Sequence, residues 1–493
     1  MHNQDAMEPH SPAGRPLTVA KARVDEIIDG DRRLTWLIYA YLVTATAWLL
    51  FGTLVGEYLG LKFARPDLGV APWLSFGRLR PVHTNVVFWG WTSLSMIGLA
   101  LWVVPRTSQR GLHSLRMAWI SLGLMNVAVL AGVAQLLVGV TNGAGEFREF
   151  IWPVMGLFAG GLVLLGYNLY RTIARRGTEE IYISNWYILA AFIMTSVLVT
   201  IAYLPWIQHG LGDTVIQGYY MHQGVGQWFT PMVLGLTYYF LPKLLNKPIY
   251  SYSLGVLAFW TQVVFYTMIG THHFVFSPTP WILQTVAIVF SVGMLVPVVA
   301  GTGNFLLTMS GSWRTISRSY SLPFIVVGVV TYFVGSTQGT FEAFRSLNRT
   351  WHFTDFTVGH AHLTMYGFVV FLIWGGIYGL LPRLTGREPP QLMVGMHFWL
   401  ALVGLLVYVG ALSIGGTLRG LSWMSGVDFM DSVRLMESYW LGRAVGGTLM
   451  FLSHLTFAWN LWTMRPGGAA GGARWSEMGV PGVSAHAPAG GAT

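Results

Sequence analysis

The chain has 493 residues, of which 53% are hydrophobic and only 10% charged, and its mean hydropathy is +0.53. A soluble domain carries about 25% charged residues, so this composition excludes a water-covered globule and places the chain in a bilayer. The net charge of +9 does not indicate nucleic acid, because the basic residues sit in short connections between apolar runs and no aromatic–basic strip suited to single strands is present. Cysteine is absent, which excludes disulfides, thiolate metal sites, iron–sulfur clusters and covalent attachment of haem c. Any metal must be held by His, carboxylate, Met or Tyr.

Residues 1–33 are polar and lack the apolar core of a signal peptide, so they are expected to form a cytoplasmic tail, with the first span acting as its own insertion signal. Residues 34–464 are expected to form one all-α integral membrane bundle of about twelve transmembrane helices. The apolar runs are 34–56, 81–104, 115–140, 150–171, 184–207, 217–242, 252–275, 281–309, 321–342, 353–381, 391–418 and 438–463. None shows the alternation of a barrel strand. With the N-terminus inside, the inner connections hold Lys21, Arg23, Arg32 and Arg33, then Arg106, Arg110 and Arg116, then Arg171, Arg175 and Arg176. Lys243, Lys247, Arg314, Arg318, Arg383 and Arg387 continue the series, so most of the 29 Lys and Arg lie inside and both termini are expected in the cytoplasm. Residues 465–493 are rich in Gly, Ala and Pro and are expected to be a disordered tail.

Six of the 14 histidines fall at one depth near the outer face. His83 lies just inside the outer end of the second run, His222 near the outer end of the sixth, and His272 and His273 near that of the seventh. His360 and His362 lie in the outer third of the tenth. One such histidine alone reads as a hydrogen-bonded interhelical group; six at one level read as a metal cluster, because ionisable groups in a membrane are costly and mark bound ions or pathways. In an α-helix residues two apart are rotated by about 200°, so His360 and His362 face opposite sides of one helix. Neighbours are rotated by about 100°, so His272 and His273 can bend toward one ion with His222 as a third ligand. Three neutral imidazoles suit copper or another borderline metal. Tyr266, two turns inward of the pair on about the same face, places a redox-capable phenol below the metal; alone it reads as a packed Tyr.

The stretches GRLRPVHTN around His83, His222 to Lys243 ending in YYFLPK, KPIYSYSL, GTHH and TDFTVGHAH occur in order. Through them the chain resembles the catalytic subunit of the cbb3-type (C-family) haem–copper cytochrome c oxidases over approximately 34–464. The resemblance implies that His83 and His362 ligate a low-spin haem b, that His360 is the proximal ligand of a high-spin haem b, and that His222, His272 and His273 hold copper. It implies that Tyr266 is joined covalently to the copper histidine of the sixth span and supplies an electron and a proton during O–O cleavage. Glu146 and Glu149, in GEFREFIWP, match a glutamate pair associated with calcium near the haem propionates, or else form a solvated acidic loop. Arg80, His352 and Asp355 fall in the same outer layer and are candidates to hold propionates by charge-assisted hydrogen bonds, or are ordinary loop residues. Thr230 and Tyr238, eight apart on one helical seam, match a proton path toward Tyr266.

The sequence departs from the family at two places. Gly255 stands where a path serine is usual, so a water or Ser251 would substitute, and Gln338 stands where a glutamate near the high-spin haem is usual. Nitric oxide reductases carry a glutamate four residues after the sixth-span histidine; here that position is Gly226, which favours oxygen reduction at copper. A transporter, or a non-catalytic di-haem electron carrier, would leave His222, His272 and His273 unexplained. The expected activity is reduction of O₂ to water in a bacterial inner membrane, coupled to proton uptake and pumping. Electrons would come from c-type cytochrome subunits or soluble cytochrome c, with quinol open as a donor.

Overall fold

The computed structural model describes residues 17–143 and 145–467. Of the expected tails at 1–33 and 465–493, residues 1–16 and 468–493 lie outside the described residues, and 17–33 are helical. Helices are α1 (Leu17–Ala64), α2 (Phe76–Asn85), α3 (Ser93–Thr107), α4 (Leu115–Leu137), α5 (Trp152–Ala174), α6 (Ile183–Ala202), α7 (Gly210–Gln223), α8 (Thr230–Leu245) and α9 (Tyr252–Tyr266). They continue with α10 (Trp281–Gly293), α11 (Leu295–Thr308), α12 (Leu322–Ala343), α13 (Arg345–Trp351), α14 (Asp355–His362), α15 (Phe371–Thr385), α16 (Gln391–Met424) and α17 (Phe429–Thr463).

Helical segments cover all twelve apolar runs. Among the described residues, nine helices are long and apolar enough to cross a bilayer. The remaining three runs fall on α7 and α8, on α9, which has 15 residues, and on α17, which carries Asp431, Arg434, Glu437 and Arg443. The first helix begins at Leu17, well before the apolar run at 34, because hydropathy marks the lipid-embedded part of a helix and not its end.

Two helical runs form the interior. The Phe76–Thr107 and Asp355–Thr385 segments are 94% and 89% buried over their apolar windows, whereas Trp281–Thr308 and Gln391–Met424 are only 33% buried and face lipid. The buried runs carry His83, His360 and His362. Around them α16 packs along α17, α17 against α1, α4 against α5, α6 against α8, and α9 against α11. Close approach of α16 and α17 depends on Gly404 and Gly446: a Cβ on Gly404 would stand 2.9 Å from the Gly446 carbonyl oxygen. Lipid tails supply no hydrophobic drive between helices, so backbone proximity through small residues takes that role.

Regular helix gives way at the histidines. π-helical turns begin within three residues after three of them: Val86–Thr92 after His83, Gly224–Phe229 after His222, and Leu363–Val370 after His362. Such turns widen the helix and concentrate at functional sites.

Candidate metal centre

His222 ends α7, while His272 and His273 lie in a 3₁₀ turn, Gly270–Phe274, beyond the end of α9. The rotation of about 100° expected for two neighbours on an α-helix therefore does not apply; the tighter turn sets their directions. The convergence itself is present. Ligand atoms of the three imidazoles all lie within 4.8 Å of one another, and His222 Nδ1 is 2.6 Å from His273 Nε2. His272 Nδ1 is 2.7 Å from Ser291 Oγ on α10, and that hydroxyl donates its own hydrogen to Ala287 O at 2.7 Å. Ser291 is thus the acceptor, His272 carries its proton on Nδ1, and Nε2 keeps a lone pair for a metal.

Three other histidines are fixed in the same way. His83 Nδ1 donates to Gly52 O on α1 at 2.7 Å, and His362 Nδ1 to Val358 O at 2.9 Å. His360 Nδ1 meets Gln338 Oε1 on α12 at 3.0 Å. Carbonyl oxygens only accept, so each ring is held in the tautomer whose Nε2 is free to ligate. His83 also sits over Gly56, where a Cβ would come within 2.5 Å of its ring. His360 and His362 share the regular helix α14, so the opposite-face argument for them holds. Thr354 starts that helix by accepting from Phe356 N at 3.3 Å. His83 and His362 are close enough to interact electrostatically, as is His360 with each of the three converging imidazoles.

Tyr266, the last residue of α9, lies flat on His222, with ring centroids 4.9 Å apart and planes 14° from parallel. Three glutamines staple these segments: Gln223 Nε2 donates to Tyr266 O at 2.7 Å, Gln227 Nε2 to Val263 O at 3.3 Å, and Gln262 Nε2 to Gly226 O at 3.0 Å. The phenol occupies the space beside Gly226. A Cβ there would fall 1.5 Å from Tyr266 Cε1, so no side chain at 226 is compatible with this ring.

On the side of the α14 N-terminus lies a set of charges. Arg80 pairs with Glu146 at 2.8 Å, and Glu149 Oε2 accepts from Asn85 Nδ2 at 2.8 Å. Burial pushes the Glu149 carboxyl up to about 7. Among the described residues, no group of three His or acidic ligands includes Glu146 and Glu149. Asp355 pairs with Arg419 at 3.2 Å and with Arg443 at 3.8 Å. Arg443 packs over Phe63, and Tyr408 near it lies with its ring 4.4 Å from that of His362. His352 packs against Phe353, and burial lowers its affinity for a proton.

Along α8, away from those charges, Thr230 Oγ1 donates to Val225 O at 3.2 Å. Tyr238 Oη accepts from Asn304 Nδ2 at 3.4 Å, and the same amide reaches Ser251 O at 2.8 Å. Ser251 Oγ is occupied as the cap of α9, accepting from Leu254 N, so Asn304 is the polar neighbour of Tyr238 and not the Ser251 hydroxyl. A Cβ on Gly255 would meet the terminal methyl of Ile183 at 2.6 Å, so a side chain there requires Ile183 to shift.

Sequence reading missed Arg419, Arg443, Asn304, Tyr332 and Glu342. Tyr332 lies within electrostatic reach of both Tyr238 and Tyr266. Glu342 Oε1 is 3.5 Å from His360 Nδ1, one turn beyond Gln338 on α12, so a carboxylate does stand beside His360. The i, i+4 pair Gln338 and Glu342 was the available signal for it.

The donor set fits the expected groups. Three converging imidazoles suit copper, and His83, His362 and His360 present free Nε2 atoms as haem ligands do. Residues 36–449 match the family described as cytochrome c and quinol oxidase polypeptide I. The chain belongs to this family. A cbb3-type cytochrome c oxidase subunit, CcoN1, of Stutzerimonas stutzeri is 30% identical over 446 residues, covering 86% of this chain and 94% of that protein. A cytochrome c oxidase subunit 1 homologue of Azorhizobium caulinodans is 32% identical, covering 85% and 79%. A solved haem–copper terminal oxidase dimer shares the fold, with a TM-score of 0.74 at 17% identity, covering 87% of this chain and 84% of that one. The cbb3-type resemblance read from the motifs is thereby borne out, and this oxidase subunit I chain is a multi-pass membrane protein of the haem–copper class.

Proposed function

We propose that this subunit reduces O₂ to water at a centre of high-spin haem b and copper, fed by a low-spin haem b. The observation that carries the reading is Tyr266, stacked on His222 where a Cβ on Gly226 would fall. That position offers a phenol and no carboxylate, which suits O–O cleavage and not a carboxylate-supported iron for nitric oxide. When bound, the haem–copper pair supplies the open coordination positions and most of the electrons for that cleavage.

The chain's own residues do the rest. His222, His272 and His273 would hold the copper, with Ser291 fixing the His272 tautomer; His360 would hold the high-spin haem, and His83 and His362 the low-spin haem. Tyr266 gives up its hydroxyl proton and one electron, and within reach of His222 its ring can carry the covalent bond that the resemblance implies. Protons reach it from the inner side along Tyr238, Asn304 and Thr230, with Tyr332 within electrostatic reach of both phenols. Arg80, Arg419 and Arg443, with Asp355 and His352, form the polar outer rim suited to propionates. A calcium ion at Glu146 and Glu149 would have to displace Arg80 from Glu146, and calcium analysis tests it. Electrons come from c-type cytochrome partners, with the centre toward the outer face of a bacterial inner membrane and both termini inside.

The purified complex is expected to contain two protohaems and one copper per chain and to consume O₂ with a reduced donor. Iron in place of copper, with NO consumption far above O₂ consumption, overturns the assignment. Tyr266→Phe is expected to abolish turnover while both haem spectra survive.

A further inference from the structure

A second polar column runs through the bundle beside the His83–His362 pair, and the metal centre uses none of it. At its inner end Asn460 Nδ2 on α17 donates to Tyr378 Oη at 2.9 Å, and that hydroxyl bonds His397 Nδ1 on α16 at 2.9 Å. Further out, Tyr366 Oη lies 3.2 Å from His454 Nε2 and 3.2 Å from Ser453 Oγ. His454 Nδ1 is 3.1 Å from Thr53 Oγ1, which spends its own hydrogen on Leu49 O, so the histidine donates there and accepts from Tyr366. One turn outward on α1, Glu57 accepts from Thr448 Oγ1 at 2.6 Å. Thr53 adjoins Gly52, whose carbonyl holds His83, so the column ends at the level of that ligand.

Between the two clusters stand indole rings. Trp374 is 4.4 Å from His397 and 5.8 Å from His454 by ring centroids, and Trp91 is 6.5 Å from Trp374. Polar atoms here have no partner: Nε1 of Trp91, Nε1 of Trp374, Nε2 of His397 and Oδ1 of Asn460, all in side chains no more than 1% exposed. Farther out, Glu57 Oε2 is also unpaired. Native interiors satisfy buried donors and acceptors, and where protein supplies no partner internal water does. The orphans are of both kinds, since an indole N–H only donates and an amide oxygen only accepts, which is what bridging waters require.

We propose that this column is hydrated between His397 and His454 and conducts protons from the inner side toward the level of His83, apart from the route through Tyr238 and Tyr266. Each imidazole takes a proton at one nitrogen and releases one from the other; water relays between them, and Thr53 and Glu57 receive. One proton leaves for each that enters, and no electron moves along this route. What drives the flow rests on the oxidase reading, whereas the hydration does not.

A cryo-EM map of the purified complex that resolves water is expected to show it within hydrogen-bonding distance of His397 Nε2 and Trp374 Nε1; rings packed together without water overturn the column. In vesicles given a reduced donor and O₂, His397→Leu and His454→Leu are expected to lower protons released per electron about fivefold, with O₂ reduction within about twofold of wild type. An unchanged ratio overturns proton conduction. If the leucine variants lose their haem spectra, Tyr378→Phe, which removes one oxygen atom, is read by the same criterion. Wild-type complex that reduces no O₂ sinks the oxidase reading instead, and the water map then decides the column alone.

Discussion

The His222, His272 and His273 trio and the His83–His362 pair are held in opposite ways. The trio sits where regular helix ends, on the last turn of α7 and in a 3₁₀ turn, and its ligands come together through local backbone and the Tyr266 ring. The pair sits within the two most buried helical runs, each ring pinned by a backbone carbonyl, with α1, α16 and α17 closing around it. Irregular backbone gives three side chains from two segments a common focus. Enclosed helix, α-helical up to each ligand and π-helical beyond it, fixes the separation of the two rings.

If that contrast is right, ligand losses separate. His222→Leu is expected to cost the copper and essentially all O₂ turnover while both haem spectra persist; His83→Leu is expected to remove the low-spin haem spectrum while copper stays. Simultaneous loss of all three groups in either variant would break the comparison. Metal analysis and visible spectra check both.

Gly226→Ala tests the packing of the trio. Its Cβ cannot coexist with Tyr266, so the phenol must move, at a cost on the order of 1–3 kcal/mol or more. A lower melting temperature and loss of turnover with intact low-spin haem are expected. Ser291→Ala removes the acceptor that fixes His272, and copper affinity is expected to fall about 10–100-fold, read by copper titration.

The smallest effect lies in the loop at Glu149. Its folded value of about 7 is above the ordinary 4.5, so its contribution to stability is fully present below pH 4.5 and is lost as pH rises through 7. Thermal melting from pH 5 to 8 is expected to show this loss in wild type and not in Glu149→Gln.

Much of the metal centre was legible in the sequence. Six histidines at one depth, the HAH spacing and the absence of a carboxylate at Gly226 are properties of order and period, which a helix converts directly into faces and levels. Elements bounded by irregular backbone were not legible. The 3₁₀ turn under His272 and His273 and the three π turns break the α period on which the rotation arithmetic relied.

The sequence by itself determined the solvent, the helical class and the chemistry of the ligands, because composition and hydropathy act residue by residue. Tertiary structure alone decided which nitrogen of His83, His272, His360 and His362 is free, that Tyr266 fills the space at Gly226, and that Asn304, Glu342, Arg419 and Arg443 join the surroundings. Those facts depend on partners from helices far apart in the chain, brought into hydrogen-bonding distance only by packing.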